Sequence, residues 1–168
     1  MKNLVRSFSL MIAVAFFVTN TFAQQTAKQA KKAAQEAAVA KAVDAKKYTF
    51  VATYMQPLRG AQKYLSDDYD LKITPDSAIA WLPYYGRVFM NPPMNPDDAG
   101  IKFTSTKFDY NIAPRKKGGW EVIIVPKGDK YTSKMRLDIY TDGGASLMVM
   151  SNYRDQITFT GHLKGFGR

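Results

Sequence analysis

The sequence predicts an all-β, mainly antiparallel domain of about eight strands, a sandwich or a partly closed barrel, preceded by an Ala/Lys-rich N-terminal helix. Two observations carry this. From Tyr48 onward apolar and polar residues alternate in short blocks, the period of a half-buried strand, and Gly, Pro, Asp and Asn separate the blocks. Between the blocks no run keeps a helical period long enough for the crossover helices of a parallel sheet. A composition of 46% hydrophobic and 23% charged residues is that of a folded chain, and 168 residues suit one main domain.

The first element is an export pattern. Residues 1–23 place Lys2 and Arg6 before the apolar run from Leu10 to Val18 and end in the small-residue site Thr21-Phe22-Ala23. That run is short of the roughly 20 residues a helix needs to span a bilayer, so cleavage after Ala23 and a periplasmic or secreted mature chain are expected. Removing Lys2 and Arg6 lowers the formal charge of +10 by two.

Residues 24–47 are dominated by alanine and lysine and contain no aromatic, Gly or Pro, so propensity alone makes them helical. The apolar side offers only Val39 and Val43 at an i,i+4 spacing, which predicts a partly frayed spacer that buries little. Its lysines outnumber Glu36 and Asp44, which suits either a weak association with an anionic surface or, as the ordinary alternative, a solvated helix face.

The β domain follows over residues 48–168. Strands are expected at 48–55, 69–73, 78–82, 107–112, 120–125, 134–140, 145–150 and 156–160. The clearest alternation sets Met135, Leu137 and Ile139 against Lys134, Arg136 and Asp138, and in the same way Phe108, Tyr110 and Ile112 should share a buried face. Asp142-Gly143 supplies the positive φ of a tight reversal between 134–140 and 145–150.

Few constellations carry chemistry. Cysteine is absent and His162 is the single histidine, which excludes disulfides, Cys/His zinc sites and thiol catalysis. No phosphate-cradling loop occurs and no cofactor is implied; the basic charge is dispersed over turns and the spacer, which argues against nucleic acid. Asp67, Asp68 and Asp70 lack the spacing of a calcium loop, and Asp97 and Asp98 read as turn residues. Together those five are the candidates for a hydrolase or lyase acting on envelope polymers.

The binding candidates are Trp81, Tyr84, Tyr85 and Arg87. Pro83 should end a strand and Gly86 permits a bend, so the aromatic rings could be displayed at a rim for stacking, with Arg87 ready for an anion. The ordinary alternative puts Trp81 and one tyrosine in the core and closes Arg87 on a carbonyl or an aspartate. The expected function is therefore an exported, noncatalytic binding module for a protein, glycan or lipid-derived ligand, or else a structural domain that oligomerises through an outward Met148/Met150 face.

These residues also carry a resemblance. Leu82-Pro83-Tyr84-Tyr85-Gly86-Arg87 resembles the LPYFGR signature of the bacterial envelope proteins grouped as domain of unknown function 4251. Gly100-Ile101-Lys102-Phe103, Lys117-Gly118-Gly119-Trp120, the hairpin strand from Gly144 to Val149, Ser151-Asn152-Tyr153-Arg154 and the run from Ile157 to Gly161 are similar as well. The resemblance spans roughly Tyr48 to Leu163 and implies an exported, often lipid-anchored protein. This chain lacks the lipobox cysteine of the anchored members. The family has no established activity, so no residue role carries over.

Overall fold

The computed structural model describes residues 28–66, 69–90, 100–129 and 131–166. The export pattern, Asp67, Asp68, Asp97 and Asp98 lie outside the described residues. The chain forms two compact units, residues 1–35 and 36–168. In the first, residues 28–35 are helical and almost entirely exposed.

The second unit begins with helical residues 36–44 and continues into ten strands: β1 (Tyr48–Pro57), β2 (Lys63–Tyr64), β3 (Asp70–Ile73), β4 (Ala78–Leu82), β5 (Ile101–Ser105), β6 (Phe108–Pro114), β7 (Trp120–Pro126), β8 (Lys134–Ile139), β9 (Gly144–Met150) and β10 (Ile157–Leu163). All belong to one antiparallel sheet in the order β5-β4-β3-β1-β10-β9-β8-β7-β6, with β2 paired to β1. A single continuous sheet decides between the two expected architectures: it is nearly closed into a barrel.

The closure has a covalent cause. The two edge strands, β5 and β6, are separated only by Thr106 and Lys107, so one stretch of chain pairs first with β4 and then with β7. At the joint the buried Ser105 hydroxyl lies 2.7 Å from the Lys107 carbonyl and 3.0 Å from that of Lys127, whose own N–H donates to Lys107 O at 2.8 Å. These contacts satisfy polar groups that a break in the ladder exposes.

Alternation places Met135, Leu137 and Ile139 wholly inside, as expected, facing Leu147 and Phe159. The β8–β9 reversal also forms as read: Gly143 has φ +85°, and Asp142 Oδ1 accepts the Gly144 N–H at 3.0 Å. Three expectations change. β2 and β5 were not foreseen as strands, bringing the total from eight to ten. Ile112 does not share a buried face with Phe108 and Tyr110; it is 39% exposed, because β6 is an edge strand that runs past its cover. Val39 and Val43 are fully buried members of the core, so the end of the Ala/Lys segment buries more than a spacer would.

Tyrosines hold that helix end to the sheet. The Tyr110 hydroxyl donates to the Val43 carbonyl (3.2 Å), so the hydrogen bond between the Tyr48 and Tyr110 hydroxyls (3.0 Å) is donated by Tyr48. The helix stops in a Schellman turn: Lys47 N–H bonds Ala42 O at 2.9 Å, Lys46 N–H bonds Val43 O at 3.1 Å, and Lys46 takes φ +51°.

Candidate functional site

The candidate residues gather at the end of the barrel where β1, β4 and β9 finish and β3, β5 and β10 start. Trp81 is the outward residue between the buried Ala80 and Leu82, and alternation alone turns it to solvent. It is 52% exposed, so the alternative that placed it in the core is wrong. Directly across the ladder stands Lys102 of β5, its Nζ 4.3 Å from the indole centroid.

Pro83 ends β4, and the two tyrosines after it part. Tyr84 turns inward. Its hydroxyl donates to the carbonyls of Arg87 (2.8 Å) and Asp155 (3.2 Å), and its ring packs against the core and lies 5.1 Å from the Arg154 guanidinium. A Cβ at Gly86 would sit 2.6 Å from that hydroxyl, which is why glycine occupies the bend. Burial is the main reason the Tyr84 phenol is pushed up from its ordinary range; Asp155 adds to this and Arg154 opposes it.

The turn is then stitched to the chain before β10. Asp155 N–H donates to Arg87 O at 3.0 Å, Phe89 N–H donates to Tyr153 O at 2.7 Å, and Val88 bridges to Arg154. Arg154 itself is buried, with its guanidinium 4.2 Å from the Tyr131 ring and Nη1 3.5 Å from Gly100 O. Arg87 thus closes the motif through its backbone, while its side chain is exposed and makes no ion pair with the described residues.

Tyr85 turns outward and is 53% exposed, with the Lys63 Nζ of β2 only 3.4 Å from its ring centroid. Leu58, Tyr64, Phe89 and Met90 are also exposed at this end. The structure therefore brings Trp81, Tyr85 and Arg87 to one rim as displayed groups and gives Tyr84 a structural task. Lys63, Lys102, Phe89 and Met90 were missed by sequence reasoning. Lys102 was legible as the outward neighbour of Ile101 and Phe103, whereas a two-residue strand leaves Lys63 no pattern to be read from.

Among the described residues the rim is basic and aromatic. Ammonium groups over the Trp81 and Tyr85 rings are held by the ring quadrupoles, each on one face of its ring. Of the five aspartates proposed for hydrolysis only Asp70 is described, half-buried in β3 opposite Trp81 and Val51. Among the described residues no three His, Cys, Asp or Glu side chains gather as a metal site. Met148 and Met150 are half-buried on the outer face of β9.

A family model described as Domain of unknown function (DUF4251) matches residues 30–163. The crystal structure of a DUF4251 family protein from Bacteroides eggerthii DSM 20697 at 1.95 Å resolution is similar over 80% of this chain and 90% of that one, with a TM-score of 0.57 and 16% identity. At that identity the likeness shows the fold alone. No curated protein matches the chain.

Proposed function

The chain belongs to the family of domain of unknown function 4251, and since membership brings no activity with it, we propose from the rim itself an exported, noncatalytic module that docks on an anionic lipid surface of the cell envelope. One observation carries this reading: Trp81 and Tyr85 are displayed at the loop end of the barrel with Lys102 and Lys63 over their rings. Amphipathic rings suit the headgroup level of a bilayer, and each Lys or Arg close to an anionic surface contributes about 1 kcal/mol. Leu58, Phe89 and Met90 add exposed apolar area at the same end. Between a glycan and a lipid surface we take the lipid, because the ammonium groups supply the charge that an anionic surface attracts and occupy one face of each ring. The export pattern of residues 1–23 supports the envelope as the location. No described helix is long and apolar enough to cross a membrane, and docking requires none.

Co-sedimentation tests the reading. The protein should pellet with vesicles of phosphatidylglycerol and phosphatidylethanolamine, remain in solution with phosphatidylcholine alone, and be released by salt. A folded Trp81→Ala/Tyr85→Ala/Arg87→Ala variant should stay in solution. Equal pelleting with neutral and anionic vesicles, or none with either, would overturn the assignment.

A further inference from the structure

A second site lies on the outer wall of the barrel and shares no residue with the rim. β1 carries a bulge: Ala52 pairs with Gly161 and Tyr54 with Thr160, leaving Thr53 as the extra residue. A bulge turns two consecutive side chains to one face, and here Thr53 and Tyr54 both point outward. Beneath them a Cβ at position 161 would run into the Val51 carbonyl, so glycine there is what lets β1 and β10 close up.

The result is an open pocket of about 300 Å³. Tyr54, set edge-on to Tyr64 at 5.4 Å, forms one wall, and the β8–β9 turn with Asp142 and Gly144 forms the other; Thr160 and His162 line it along β10. The turn is pinned by Leu163 N–H on Gly143 O at 2.8 Å, so the wall belongs to the same framework as β10.

The lining defines the ligand class. Among the described residues no Lys or Arg borders this pocket, and Asp142 opposes an anion. Most of the lining surface is apolar, with hydroxyl, carboxylate and imidazole groups set into it. What they match is a ring bearing hydroxyl groups that both donate and accept, laid beside an aromatic side chain. The volume stands at the lower end of ligand pockets, the size of a single ring. We propose that this pocket binds a neutral saccharide unit.

His162 is the protein's single histidine, so its imidazole proton resonances report on this pocket without overlap. The full chain is titrated with methyl β-glucoside, methyl β-galactoside and N-acetylglucosamine, and with inorganic phosphate beside them. At least one sugar should shift the imidazole signals saturably while phosphate does not. Thr160→Val, which keeps the strand and removes one hydroxyl, should weaken that sugar about fivefold. Asp142→Asn, which keeps the acceptor for Gly144, should weaken it as well, and Trp81→Ala should leave it unchanged. A signal that no sugar moves, or that phosphate moves as readily, overturns the proposal, as does a shift that both folded pocket variants leave intact.

Discussion

The Lys63 ammonium stands 3.4 Å from the centroid of the Tyr85 ring, joining the short strand β2 to the turn after β4. That contact holds a positive charge at the rim, on an exposed side chain that makes no ion pair with the described residues. Lys63→Gln should therefore weaken vesicle binding about fivefold, the effect of one lost cation near an anionic surface. Lys164→Gln removes the same charge just beyond β10, at the far end of that strand, and should change binding little. Equal losses in the two variants would mean that net charge alone drives attachment.

Tyr84 acts on the rim indirectly. Its hydroxyl spans Arg87 O and Asp155 O, so Tyr84→Phe should lower stability by about 1 kcal/mol, read from the denaturant midpoint. Vesicle binding by the folded protein should stay near wild type. A binding loss as large as that of Trp81→Ala would make Tyr84 a contact residue.

Gly161 and Gly165 separate crowding from strain. Gly161→Ala drives a methyl into the Val51 carbonyl and should cost about 3 kcal/mol. Gly165 has φ +87° with open space around the position, so Gly165→Ala should cost about 1 kcal/mol through backbone strain alone. Equal costs by equilibrium unfolding would contradict the close approach of β1 and β10.

The tyrosine pair under the helix sets an alkaline limit. Burial above all pushes Tyr110 up to about 12 and raises Tyr48 well above its ordinary range. In the unfolded chain both phenols ionise near pH 10, so above that pH the folded state holds more protons than the unfolded one, and stability falls as pH rises. Unfolding free energy measured from neutral pH to about pH 12 should decline more steeply in the wild type than in Tyr110→Phe. Parallel declines would place the pair in solvent.

Local features were legible where the pattern is local. Met135, Leu137 and Ile139 alternate cleanly and meet a partner strand within one turn, and the outward course of Trp81 follows from Ala80 and Leu82 beside it. Closure of the barrel was not legible, because the pairings of Ile101–Ser105 with β4 and of Phe108–Pro114 with β7 depend on partners on opposite sides of the sheet. Val39 and Val43 had the right spacing, but two valines among alanines do not announce a buried face until Tyr110 reaches the Val43 carbonyl. Tyr84 and Tyr85 are adjacent and chemically alike; their opposite fates rest on the Asp155 carbonyl, 71 residues away, which only the fold supplies.

Docking as proposed brings the rim around Trp81 to the lipid. Trp81 is the penultimate residue of β4 at the loop end, whereas Trp120 begins β7 opposite Ile139, at the β8–β9 turn. Brominated anionic lipids quench only tryptophans that approach the acyl chains, so fluorescence with such vesicles reads depth at these two positions. Quenching should be strong in the wild type and absent in Trp81→Phe, whose remaining tryptophan stays away from the bilayer. Quenching that persists in Trp81→Phe, or its absence from wild-type protein shown to be vesicle-bound, would contradict docking through this rim.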